Sequence, residues 1–136
     1  MIDINYPLQK KYKTALDTTG YPVYYMLAPD DQTAQVYIVF TIGQANQQDT
    51  KNSEDSEVIV QIKIHTWNNG ANNGVAVATA AGLVYSAMAT KFDLDADGLG
   101  NISQRRDTDV TLEYGTIGNR VYIDRIITYK HKIYIQ

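Results

Sequence analysis

The sequence predicts a single α+β domain in two layers, with a mainly antiparallel sheet of four to five strands and two helices packed on one face. Several segments alternate apolar and polar residues with the period of a strand. Two other segments carry apolar residues at helical spacing. The 136 residues contain no internal repeat or linker, and this length suits one domain spanning residues 1–136.

The first predicted helix covers Pro7–Thr18. Proline is favoured in the first turn of a helix, and Leu8 and Tyr12 share one stripe. Gly20 followed by Pro22 is a typical stop signal.

The second predicted helix covers Gly74–Thr90 and is apolar nearly all round. We expect its main stripe to pack on the sheet: Val77, Ala81, Val84, Met88. A helix without a polar face has to be covered on more than one side. The second side would be covered by the first helix or by another copy of the protein, and we expect Ala80, Leu83 and Ala87, on the neighbouring stripe, to form the contact between copies.

Alternation of apolar and polar residues predicts the strands. They are Val23–Leu27, Val36–Gly43, Glu57–Trp67, a segment marked by Ile102, Val110, Leu112 and Tyr114, and Val121–Ile135 after a turn at residues 115–119. Arg125 and His131 fall on the apolar face of the last strand, so we expect a β-bulge there.

The segment Gln44–Asp55 is polar, with one alanine as its most apolar residue. It lacks the apolar surface that offsets the entropy of ordering, which predicts a mobile hairpin loop that becomes ordered on assembly. Its candidate assembly residues are Gln44, Asn46, Gln48, Lys51 and Asp55.

Composition excludes several classes of function. The formal net charge of −3 argues against sequence-independent binding of nucleic acid, and the absence of cysteine excludes disulfides and thiol nucleophiles. We expect no membrane span, because no apolar run approaches the ~18 residues of a span. We also expect no secretory signal, because Met1–Asn5 shows neither the basic n-region nor the apolar h-region of one. The eleven tyrosines, beside two phenylalanines and one tryptophan, are typical of surfaces that contact partners.

No motif in the sequence requires catalysis, a metal or a cofactor. Asp93–Gly98 matches the start of an EF-hand loop, but Gln104 stands where the bidentate glutamate belongs. A solvated loop is therefore the preferred interpretation. His65 and His131 lack metal-ligand spacing, and we expect His65 to be a surface side chain.

Basic residues concentrate in the last third of the chain, with Arg105 and Arg106 adjacent. A solvated sheet face explains them most simply. One alternative is a patch that meets an acidic loop, such as Asp93–Asp97, on a neighbouring copy. Contact with DNA is less favoured, because acidic residues interrupt the patch: Asp107, Asp109, Glu113 and Asp124.

The order of elements resembles the small tail-completion or tail-terminator proteins of tailed bacteriophages. A short helix leads through Gly20–Tyr25 and the acidic turn Pro29–Asp31 into the strand Gln35–Gly43. A polar loop follows, then the strand Glu57–Trp67, an alanine-rich helix, an acidic loop and two closing strands. The link Asn68–Asn73 and the long last strand depart from the pattern and leave open a head–tail joining ring protein.

This resemblance implies a virion protein without catalytic activity or cofactor, assembled in the host cytoplasm. Copies would close a six- or twelve-fold ring at the head–tail junction, against portal, adaptor or tail-tube proteins. DNA would pass through the lumen without specific binding. A non-viral ligand- or peptide-binding module of the same build remains the alternative, with an enzyme less favoured.

Overall fold

The structure is a computed structural model that describes residues 4–50, 53–69 and 73–135. Its elements are α1 (Asn5–Asp17), β1 (Val23–Tyr25), β2 (Val36–Thr50), β3 (Ser53–Asn68), α2 (Asn73–Ala87), a 3₁₀ turn (Asp95–Asp97), β4 (Leu99–Ile117) and β5 (Arg120–Ile135). The five strands form one sheet in the order β1-β2-β3-β5-β4. Among these described strands, β1 and β2 pair in parallel, and the other three neighbouring pairs are antiparallel. The predicted α+β class is confirmed.

Both helices pack on the same face of the sheet, where the core lies. Leu8, Tyr12 and Leu16 bury one side of α1 at the four-residue spacing of a helical stripe. The predicted stripe of α2 is also confirmed as core, since Val77, Ala81, Val84 and Met88 are all at most 5% exposed. The sheet contributes alternate residues, including Ile38, Phe40, Val58, Val60, Ile62, Ile64, Ile127 and Ile133.

Residues 44–50 and 53–55 are the two strands of a hairpin arm, and the prediction of a loop over Gln44–Asp55 is wrong. β2 continues through Gln44, Asn46 and Gln48, and Asp55 lies in β3, with the ladder reaching the pair Thr50–Ser53. Lys51 lies outside the described residues. Strand pairing is made by backbone hydrogen bonds, which polar segments form as well as apolar ones. The ladder that β2 and β3 form near the core therefore continues into a polar segment that lacks the apolar residues of a core.

The predicted bulge in the last strand is also wrong. β5 pairs with β3 without a break in register from Asp55–Tyr134 to Asn68–Val121. The register shifts lie in β4, between Asn101 and Ser103, Arg106 and Thr108, and Glu113 and Gly115. Arg125 and His131 remain on the helix-covered face because each has polar partners there.

A two-residue turn, Gly118–Asn119, joins β4 to β5 and is shorter than the predicted turn. Gly118 has a φ of 61° and Ile117 pairs with Arg120, which matches the hairpin turns that place glycine first. The two long strands therefore run side by side for nearly their full lengths, and β4 forms one edge of the sheet.

Candidate assembly surfaces

The outer side of α2 exposes fewer of the expected contact residues than the sequence indicates. Leu83 is 39% exposed and Ala87 is half-buried, but Ala80 is fully buried in the core. Ala80 follows Val77 by three residues and precedes Val84 by four, which places it on the same helical stripe as both. Its assignment to a contact between copies is therefore wrong. Val75 is more exposed than Leu83 on this helix, at 63%.

Arg105 and Arg106 do not form one patch. Adjacent residues of a strand point to opposite faces of the sheet, and in the register Arg105 pairs with Lys130 while Arg106 pairs with Tyr129. Arg106 lies on the helix-covered side, where its guanidinium carbon is 4.4 Å from the ring centre of Tyr85. Arg105 faces the opposite, open side and is exposed.

A polar cluster joins α2 to the two last strands. Arg125 donates two hydrogen bonds of 2.8 Å to the two carboxylate oxygens of Asp109 and one of 2.9 Å to the hydroxyl of Tyr85. Tyr85 in turn donates to Asp109. The hydrogen bond with Asp109 raises the pKa of Arg125. A bidentate arginine–carboxylate pair fixes geometry well, so this cluster holds α2 over β4 and β5.

A second polar network lies inside the core around His131. The Tyr12 hydroxyl contacts Nε2 of His131, and Nδ1 of His131 is 3.2 Å from Oδ1 of Asn101. In the neutral tautomer that fits both partners, Nδ1–H donates to Asn101 and Nε2 accepts from Tyr12. Burial lowers the pKa of His131 to about 4. The network therefore holds a neutral histidine between α1, β4 and β5.

Gln104 extends this network to the end of α2. Its side-chain oxygen accepts from the backbone N–H of Phe92 at 3.0 Å and from the Asn101 amide at 3.2 Å. Its amide donates to the backbone oxygens of Met88 and Thr90 at 3.3 and 3.2 Å. The carbonyls at a helix C-terminus lack partners within the helix. Gln104 therefore caps the C-terminal end of α2. This role explains why a glutamine, and not the bidentate glutamate of an EF-hand loop, stands at this position.

The Asp93–Gly98 loop forms a compact turn. The Asp93 carboxylate accepts the N–H of Asp95, Gly98 has a φ of 72°, and Leu94 is 1% exposed. Within residues 4–50, 53–69 and 73–135, no three histidine, aspartate or glutamate side chains are placed to share a metal ion. In the same residues, no helix has the length and apolar character to cross a membrane.

The open face of the sheet carries a groove that the sequence analysis did not find. It has a volume of about 330 Å³ and lies between β2, β3 and β5. The Tyr37 ring stacks on His65 with centres 4.8 Å apart, and His65 Nδ1 is 2.9 Å from a carboxylate oxygen of Asp124. At one end the Arg120 guanidinium lies 3.9 Å from the ring centre of Trp67. His65 is thus half-buried with partners rather than a simple surface side chain.

The chain matches no protein-family model and no curated protein in sequence. Its fold is similar to that of a chain in the solved virion of a native gene transfer agent (GTA) particle, with a TM-score of 0.63 and 16% sequence identity. The match covers 92% of this chain and 94% of that chain. The likeness in fold therefore extends over most of the domain.

Proposed function

We propose that the protein is a structural component of a phage-like virion and forms a ring at the head–tail junction, as a tail terminator, tail-completion or connector protein. The observation that carries this proposal is the fold likeness to a chain of a gene transfer agent virion over nearly the full length of both chains. The order of elements along the sequence supports the same class independently, because it resembles tail-terminator proteins.

The described surface supports assembly better than it supports catalysis. The polar clusters around Arg125 and His131 use their donors and acceptors to join elements of the fold. Exposed aliphatic side chains lie on α2 and at both edges of the sheet, as the contact surfaces of an oligomer require. A head-to-tail contact repeated around an axis closes a ring. A net charge of −3 would let DNA pass through the lumen without adhering.

The proposed ring would hold six or twelve copies and contact portal, adaptor or tail-tube proteins in the particle, without cofactor or membrane. Arg105, Arg106 and Leu83 are the proposed self-association residues, and Ala87 contributes its exposed part. The hairpin arm that contains Gln44 and Asp55 is proposed to reach a neighbouring copy. Assembly would take place in the host cytoplasm.

Mass measurement and negative-stain imaging of the purified chain test this function. We expect a closed ring with a mass of six or twelve times 15.2 kDa. A protein that stays monomeric at all accessible concentrations, and binds none of the head or tail proteins of its particle, would contradict the proposal.

The groove on the open face supports a second candidate, a ligand- or peptide-binding module. Its volume of about 330 Å³ is within the usual range of small-ligand sites, and aromatic rings with a few polar groups form its walls. Trp67 is the single tryptophan of the chain, so its fluorescence reports on occupancy. A monomer whose Trp67 emission shifts on titration with a peptide library would favour this function over the ring.

A further inference from the structure

The two edges of the sheet differ in length and in what they expose. β1 covers the outer edge of β2 only opposite residues 38–40, and β4 runs from Leu99 to Ile117 at the other edge. Edge strands present backbone donors and acceptors that another chain can pair with. Because the two edges lie on opposite sides of the domain, they are the natural pair of surfaces for a head-to-tail contact.

The β1 edge ends in a strained and apolar turn. The N–H of Leu27 donates to the carbonyl of Tyr25 at 2.9 Å, and Met26 between them has a φ of 69°. A non-glycine residue in this region is disfavoured and persists where the surroundings require it, often at functional sites. Met26 is 65% exposed and Leu27 is 80% exposed. Thus the turn presents two large apolar side chains to solvent at an energetic cost.

An acidic turn follows directly. Asp30 and Asp31 come after Pro29, and both are exposed. The β1 edge therefore combines two aliphatic side chains with two carboxylates within six residues, Met26 to Asp31.

The β4 edge has the complementary character. Val110 is 50% exposed, and Arg105 and Arg106 are exposed on the same strand. The two nearby carboxylates already have cationic neighbours, because Asp109 is paired with Arg125 at 2.8 Å and Asp107 lies 4.0 Å from Lys130. Around Arg105, this edge therefore offers positive charge to a partner.

We propose that copies of this chain join through the two sheet edges, with the Met26–Asp31 turn of one copy seated on β4 of the next. Leu27 would contact Val110, and Asp31 would pair with Arg105, because the strand partners of Val110 and Arg105, Ile126 and Lys130, lie on the same open face of β5. This inference rests on the proposed function, and it specifies the contact between neighbouring copies in the ring, which we call the seam. The partner is a second copy of the chain, because one chain carries both the apolar, acidic edge and the apolar, basic edge.

Charge exchange across the seam provides the test. Arg105→Asp and Asp31→Arg are each expected to raise the concentration at which rings dissociate by about tenfold, since a single reversal places like charges together. The double variant is expected to return to within about threefold of the original value, because the pair is restored with exchanged signs. Leu27→Asp should also weaken assembly, and at 80% exposure it should leave the fold intact.

Lys10→Asp, on the exposed side of α1, makes the same charge change as Arg105→Asp at a site away from β4 and should leave assembly unchanged. Analytical ultracentrifugation measures association, and circular dichroism confirms that each variant is folded. Rings that form in every single variant would overturn the edge contact and leave the ring function standing. An original chain that forms no oligomer would instead contradict the proposed function. Weakening without rescue in the double variant would overturn the pairing of Asp31 with Arg105.

Discussion

The buried histidine predicts a specific loss of stability in mild acid. His131 is fully buried, and burial lowers its pKa to about 4, against about 6.5 for an unperturbed histidine. Between these values the unfolded chain binds a proton that the native state excludes. Stability from His131 is therefore fully present above about pH 6.5 and declines as the pH falls towards 4.

The size of this effect follows from the difference in pKa. A difference of about 2.5 units corresponds to about 3 kcal/mol, of which about 2 kcal/mol is lost by about pH 5. Domains of this size have total stabilities of about 5–15 kcal/mol. The protonation of one side chain would thus remove a substantial part of the free energy of unfolding.

Urea unfolding between pH 7.5 and 4.5, followed by circular dichroism, measures this loss. His131→Gln should remove most of the pH dependence between 6.5 and 5, and His65→Gln should retain it, because His131 is then intact. These are the only two histidines of the chain, so the comparison isolates one group. NMR titration of the His131 ring in the unmodified protein gives a second measurement that does not depend on how well the variant folds. Titration of that ring above about pH 6 would refute the reasoning.

Three further predictions follow from the described contacts. Gln104→Ala should lower the free energy of unfolding by about 1–3 kcal/mol, because it leaves the Phe92 N–H and the carbonyls of Met88 and Thr90 without their partner. Gln104→Glu should not restore this free energy, since a carboxylate cannot donate to the two carbonyls, and urea denaturation of both variants measures the change. Gly100→Ala should destabilise the β4–β5 pair, since a Cβ there would lie 2.0 Å from the Tyr134 ring. Thermal denaturation should show a smaller loss of stability when Gly100→Ala is made in a protein that already carries Tyr134→Ala. Equal losses of stability in the two backgrounds would refute the clash. The Leu83→Asp variant should remain folded by circular dichroism but form rings less readily in ultracentrifugation. Thr14→Asp, which adds the same charge on α1, is the control and should leave ring formation unchanged. An unfolded Leu83→Asp variant would show that Leu83 belongs to the domain's own core.

The local spacing of apolar and polar residues was sufficient to predict most of the secondary structure. The stripe of Val77 and Val84, the alternation through Ile62 and Ile64, and the stop signal at Gly20 each depend on residues close together in the chain. The apolar period therefore predicted both helices, the succession of strands along the chain and the face of β3 that meets the core. It also gave the α+β class, because strand and helix periods are properties of the sequence itself.

Contacts between segments far apart in the chain determined the features that the sequence analysis predicted wrongly or did not predict. The hairpin arm exists because β2 and β3 align near the core and extend their backbone ladder into polar residues such as Gln44 and Asp55. Ala80 is buried because α2 turns that stripe towards the sheet. Gln104 caps a helix that ends well before it in the chain, and His131 meets Tyr12 across 119 residues. Such contacts form only when the fold brings the partners together, and no local period encodes them. The opposite charges of the two sheet edges likewise became visible only when the strand order placed β1 and β4 on opposite sides of one domain.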